Sequence, residues 1–224
     1  MRRLIRDVSS VLILAGLLLV LDAGVTLVWQ EPVTAAIGLV LRGQVNERYL
    51  SYQTAPLSSV DLGVLTHLQT RTERVSFLAH RLARQVRTGD AVGTLSIPKI
   101  GVGYTVVQGT DELSLEKGPG HYPGTALPGL GQTVAVAGHR TTYLAPFRRI
   151  NELRRGDRIM VRMPYGRFTY RVQRTQIVSP KALWVTDNVG YDRLVLSACN
   201  PLYSAAQRII VFAHLQSVTP LGPA

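Results

Sequence analysis

The chain has 224 residues, 46% of them hydrophobic and 17% charged, enough for one well-packed domain of ordinary size plus an anchor or tail and too few for two full domains. That balance excludes global disorder. Lys and Arg number 25 against 14 Asp and Glu, a formal charge of +11, which draws the folded part to polyanions such as anionic lipid or acidic wall polymers.

No nucleic-acid-binding module accompanies the charge, so nucleic acid is not expected as a partner. A solvated basic surface without a dedicated partner explains the charge equally well.

The N-terminus opens with Arg2, Arg3 and Arg6 and then runs apolar from about Val8 to Trp29, with Asp22 as its one charge. As a helix this is long enough to cross the ~30 Å of bilayer hydrocarbon. Asp22 lies toward the outer end, and the summed gain of the Leu, Ile and Val residues outweighs its cost of about 2.5–3.5 kcal/mol. The positive flank keeps the N-terminus inside, so the predicted topology is a single-pass type II protein of the cell membrane with the remainder extracellular. A cleaved signal peptide is the rival, and the lack of a clear A-x-A-like site after the apolar core speaks against it. Residues 1–30 are therefore read as a cytoplasmic tail and transmembrane anchor.

Residues 31–90 read as a helical juxtamembrane linker. In "VDLGVLTHLQTRTERVSFLAHRLARQVRTGD", Leu62, Leu65, Leu68, Val75, Leu78, Leu82 and Val86 fall mostly three or four apart, and Gly89-Asp90 is the expected stop. Arg71, Arg74, Arg81, Arg84 and Arg87 form a basic face that either leans on anionic head groups or is simply solvated.

Beyond Ala91 the pattern turns to short β-runs punctuated by Gly and Pro. "RIMVRM" and "RFTYRVQ" alternate on either side of Pro164-Tyr165-Gly166, a hairpin. "VGTLSIP", "VGYTVVQ", "QTVAVAG", "RLVLSA" and "RIIVFAHL" supply further strands. This many short strands over residues 91–218 predicts a mainly β protein, a closed or nearly closed barrel, with 219–224 as a tail. "EKGPGHYPGTALPGLG" is too rich in Gly and Pro for a ladder and reads as a loop. "GVG" at 101–103 lacks the third glycine and following helix of a dinucleotide fingerprint.

The single cysteine, Cys199, excludes an internal disulfide. It stands where an apolar strand ends against Asn200-Pro201, a placement that lets the sulfur emerge at a sheet edge, although a lone cysteine also serves as a small buried hydrophobe. A nucleophilic cysteine needs a basic partner. His139 ends another apolar strand, with Gly138 allowing close backbone approach, and Arg208 opens the last one. Strand-end Cys, His and Arg residues can converge at one rim of a barrel.

"VAVAGHRTTYLAPFRRINELRRGDRIMV", "LVLSACNP" and "QRIIVFAH" together resemble the sortases, membrane-anchored cysteine transpeptidases of Gram-positive bacteria. "GPGHYPGTALPG" is most similar to the class E branch of actinobacteria. The resemblance, over about residues 91–216, implies an eight-stranded barrel and a thioester mechanism: cleavage of a C-terminal LAxTG- or LPxTG-like sorting signal between Thr and Gly, then transfer to an amine of a peptidoglycan precursor or a pilin. It implies Cys199 as nucleophile, His139 as general acid and base, and Arg208 as the group steadying substrate and oxyanion. Surface proteins bearing sorting signals are the implied partners; no cofactor is called for, and calcium dependence is left open. His121, Tyr122, Tyr143, Trp184 and Ala198 are the expected substrate-side residues. Ala198 replaces the threonine usual before the cysteine, a change worth about 0.5–1.5 kcal/mol if a hydrogen bond is lost. Asp192 is weighed as a partner for His139 or as a solvated loop residue. A hydrolytic secreted cysteine peptidase and an inert basic wall-binding barrel remain the alternatives.

Overall fold

The structure, a computed structural model, describes residues 2–28, 32–54 and 57–224. Four helices precede the sheet. The first, α1 (Arg2–Val28), contains a 22-residue apolar segment, Ile5–Thr26, of mean hydropathy 2.3 that is exposed over most of its length. Its length and composition suit a bilayer crossing. Trp29, at the expected end of the apolar run, lies outside the described residues.

The linker is three helices, α2 (Pro32–Thr54), α3 (Ser59–His67) and α4 (Arg71–Gln85). The single apolar rhythm read from Leu62 to Val86 conceals a break, because two capping boxes start two helices. Ser58 caps Asp61 N–H while the Asp61 carboxylate accepts from Ser58 N–H, and Thr70 and Glu73 repeat the device. Each box satisfies otherwise orphaned amides and so fixes a start. The second helix also ends earlier than expected, at Gln85 rather than at Gly89-Asp90. Val75, Leu78, Ala79 and Leu82, at helical spacing, are buried against one end of the barrel.

The sheet comprises β1 (Ala91–Ile97), β2 (Val102–Gln108), β3 (Gly120–His121), β4 (Thr133–Ala137), β5 (Arg158–Met163), β6 (Gly166–Val178), β7 (Arg193–Asn200) and β8 (Gln207–Pro220). It closes in the order β1-β2-β3-β4-β7-β8-β6-β5. A short helix, α5 (Glu112–Leu115), links β2 to β3. The β5–β6 hairpin forms as the alternation requires, with Met163 facing Gly166. Strand β3 lies inside the stretch read as a loop; it is two residues long and leaves no periodic trace. Strand β8 pairs with β6 as far as Pro220, so ladder replaces the start of the expected tail.

Alternate residues of each strand fill the barrel, among them Leu95, Ile97, Ile159, Phe168, Tyr170, Leu194, Leu196 and Val211, all fully buried. The opposite faces of β4, β7 and β8 carry a second apolar cluster of Ala135, Val195, Ile210 and Phe212.

Candidate active site

Strands β4 and β7 are parallel, so their C-terminal ends reach the same rim, and antiparallel β8 begins there. The register places Ala135, Val195 and Phe212 in one row across the three strands and Ala137, Ser197 and Ile210 in the next. Two residues further along β7, Cys199 stands opposite Arg208 of β8. Two residues beyond Ala137, and tied in by the Gly138 N–H to Ser197 carbonyl bond of 3.0 Å, comes His139. Cys199 and Arg208 therefore meet across the β7–β8 ladder, and His139 follows the end of β4 at the same rim. Below them Ala135, Val195, Ile210 and Phe212 line an outer-face trough that Tyr122, Val178, Ala182 and Val185 fill, so the four lining residues are all but fully buried.

The cysteine is free and half-buried. Beside it lies a residue that sequence reasoning passed over. Arg140, 5% exposed, donates from Nη1 to the Cys199 carbonyl (3.2 Å) and Asn200 Oδ1 (3.1 Å), and from Nη2 to Asn151 Oδ1 (2.9 Å). It bolts the histidine segment to the cysteine strand. Burial and then Arg148 lower its pKa, and negative charge on Cys199 opposes them. Its place after His139 was visible; its burial was not, because arginine is ordinarily exposed.

His139 is half-buried, and its Nε2 is buried with no hydrogen-bond partner among the described residues. Burial lowers the imidazole pKa, while Glu116 and Glu112 raise it. Gly138 has a steric reason: a Cβ there would meet the Phe147 ring at 2.5 Å. The chain then turns through Tyr143, Leu144 and Ala145, all with positive φ (49°, 64° and 42°), a left-handed path costing such residues roughly 1–2 kcal/mol each.

Arg208 donates from Nη1 to the carbonyls of Ala205 (2.9 Å) and Gln207 (3.0 Å), which leaves Nε and Nη2 without partners among the described residues. Tyr122 packs beside the trough with its hydroxyl likewise unbonded. Trp184, 44% exposed, stacks over Phe212 at 6.2 Å, above the floor two rows from Cys199. Tyr143 lies against His139 with ring centroids 5.4 Å apart, and its hydroxyl donates to Glu116 Oε1 at 2.9 Å.

Three expectations are corrected. Ala198 does not face the trough: strand alternation turns it into the barrel core with Leu194 and Leu196, opposite to Cys199. His121 is 3% exposed and orders its own turn, with Nε2 2.9 Å from the Ala126 carbonyl and Nδ1 2.8 Å from the Gln108 side-chain amide. Asp192 neither orients His139 nor lies free in solvent. It precedes β7, at the other end of the strand from Cys199, and accepts from the Gly129 and Gly131 amides at 3.3 and 3.2 Å.

A thiol, an imidazole and a guanidinium brought to one rim of a closed barrel are the groups that cysteine acyl transfer uses. The comparisons agree with that class. Residues 95–216 match the sortase domain, and the chain belongs to the sortase family. It is 37% identical over 129 residues to Sortase D of Bacillus subtilis, covering 56% of this chain and 64% of that protein. It is 31% identical over 148 residues to Sortase SrtE1 of Streptomyces coelicolor, covering 59% of this chain and 42% of that protein. The crystal structure of Sortase E1 from that organism, with a tripeptide in its active site, superposes with a TM-score of 0.57 at 29% identity over 59% of this chain and 91% of that one. A Clostridium perfringens Sortase D5 transpeptidase gives 0.57 at 25% identity, over 71% of this chain and all of that one. The chain thus spans less than two thirds of the length of either curated relative.

Proposed function

We propose that the protein is a membrane-anchored cysteine transpeptidase acting on C-terminal sorting signals outside the cell. The observation that supports this reading is Cys199 opposite Arg208 in the β7–β8 ladder, at the rim where β4 ends and His139 follows. The Cys199 thiolate attacks the carbonyl carbon of the Thr–Gly bond, and the oxyanion so formed takes hydrogen bonds from the unbonded side of Arg208. The His139 imidazolium gives its proton to the departing glycine amine as the C–N bond breaks, leaving a thioester and a neutral imidazole. An incoming amine attacks the thioester, His139 takes its proton, and the thiolate leaves. Peptide, amine and product balance with no outside oxidant or cofactor.

The substrates are surface proteins carrying an LAxTG- or LPxTG-like signal, and the acceptor is an amine of the wall precursor or of a pilin. The α1 segment Ile5–Thr26 anchors the enzyme as a single-pass type II protein, with Arg2, Arg3 and Arg6 inside. Ala198 does not weaken the case, since its side chain lies in the core and not in the trough.

Product analysis of a sorting-signal peptide with and without an amine acceptor tests the reading. A peptide–amine conjugate that requires the amine supports it. Hydrolysis alone with acceptor present turns it into a cysteine peptidase, and an unreactive thiol with no turnover turns it into a wall-binding barrel.

A further inference from the structure

The turn after His139 is strained, yet it is gripped from several sides. The Tyr143 N–H donates to Thr34 Oγ1 of α2 at 3.1 Å. Gly38, one turn further along the same helix, packs so closely on the strained turn that a Cβ would meet Leu144 Cγ at 3.0 Å and the Tyr143 carbonyl carbon at 3.3 Å. Arg42, another turn on, lies 4.7 Å over the Tyr104 ring, and the Tyr104 hydroxyl donates to the Leu144 carbonyl at 3.2 Å. Thr34, Gly38 and Arg42 recur every four residues and so share one face of α2. On the far side of the turn the Tyr143 hydroxyl is held by Glu116, and the ring rests on the imidazole.

A helix of the membrane linker therefore braces the turn that carries the ring against the catalytic histidine. We propose that Tyr143 is a positioning residue for His139 and that α2 is its mount, so the juxtamembrane helix is a working part of the catalytic apparatus and more than a spacer. This rests on the transpeptidase reading above for its kinetic consequence only. The contact between α2, Tyr143 and His139 exists whatever the substrate. The charged groups facing His139 are Glu112 and Glu116 beyond β2, Cys199 on β7 and Arg208 on β8, with Arg140 next to it in the chain.

The test uses the full-length protein in detergent micelles, with Tyr143→Leu, Tyr143→Phe and Thr34→Val. Two quantities are read: kcat and KM for peptide transfer to an amine, and the titration midpoint of His139 by NMR of imidazole-labelled protein. Tyr143→Leu exposes the ring, so its midpoint rises toward the ordinary histidine value, and kcat falls by about tenfold or more as the base loses its orientation. KM stays within about twofold, because Tyr143 acts on the base and not on the peptide. Tyr143→Phe keeps the ring contact and retains most of the rate. Thr34→Val, which removes the hydroxyl that accepts from the Tyr143 N–H, lowers kcat and moves the midpoint in the same direction as Tyr143→Leu, to a smaller extent.

An unchanged midpoint and kcat in Tyr143→Leu, or a loss confined to KM, overturns the positioning role. A Thr34→Val protein identical to wild type in both readouts overturns the role of α2. Should Tyr143→Leu not fold, the Phe and Val variants decide. Should the wild type transfer no peptide, the transpeptidase reading fails alone, and the midpoint still decides the inference.

Discussion

Arg140 donates to the carbonyl oxygen of Cys199 at 3.2 Å and to the Asn200 side chain at 3.1 Å. The backbone of Cys199 is thereby fixed by the residue next to His139, which ties the two strand ends together. Arg140→Lys keeps the charge but cannot span Cys199, Asn200 and Asn151 together. It is expected to cost about 1–3 kcal/mol through the charge-assisted hydrogen bonds lost. Chemical denaturation with a parallel activity assay checks this: both stability and kcat should drop.

Gly138→Ala tests the packing behind His139. The added methyl would sit 2.5 Å from the fully buried Phe147 ring, so ring or strand must shift. Overpacking of this kind costs about 1–3 kcal/mol, and the displacement passes directly to the next residue, His139. Activity should fall more steeply than thermal stability, measured on the same preparation.

His121 and His139 both have pKa values lowered by burial from the ordinary 6.5. Between the depressed values and about 6.5 the unfolded chain holds more protons than the folded one, so stability rises with pH across that window. It is lost as pH falls below about 6.5, and His121→Gln should flatten the loss. Urea midpoints at pH 7.5, 6.5 and 5.5 for wild type and variant give the slopes to compare.

Tyr122 packs against the outer apolar cluster and its hydroxyl has no partner among the described residues, whereas that of Tyr143 is engaged by Glu116. A phenol oxygen can accept from the amide N–H that alanine in the signal offers and proline lacks. Peptides differing only at that position should be separated by about 1–3 kcal/mol in kcat/KM. Tyr122→Phe should erase the difference, and Tyr143→Phe should leave it in place.

What was legible in the sequence follows from what each residue's neighbours could reveal. The period-2 runs gave away β5 and β6, and the apolar runs ending in His139 and Cys199 gave away the rim, because strand ends follow from local pattern. The cross-strand row did not follow from it: which strands lie side by side, and in parallel, is set by long-range closure of the barrel. Ala198 shows the limit from the other direction. Adjacency to Cys199 in sequence suggested adjacency to substrate, but one step along a strand reverses the face. The break between α3 and α4 was written in Thr70 and Glu73, two residues at capping-box spacing, and the apolar rhythm across it masked the signal. Arg140 and the grip of α2 on the Tyr143 turn leave no local trace, since both depend on segments brought together only by the fold.

The central claim is that Cys199, set between His139 and Arg208, forms a thioester with the sorting-signal peptide. Intact-protein mass spectrometry of the full-length protein, quenched in acid during turnover without an amine acceptor, reads it directly. A mass increase equal to the peptide up to its threonine, mapped to Cys199, discharged by added amine and absent in Cys199→Ala, is the predicted result. Peptide cleavage that persists undiminished in Cys199→Ala, with no adduct on the wild type, contradicts it.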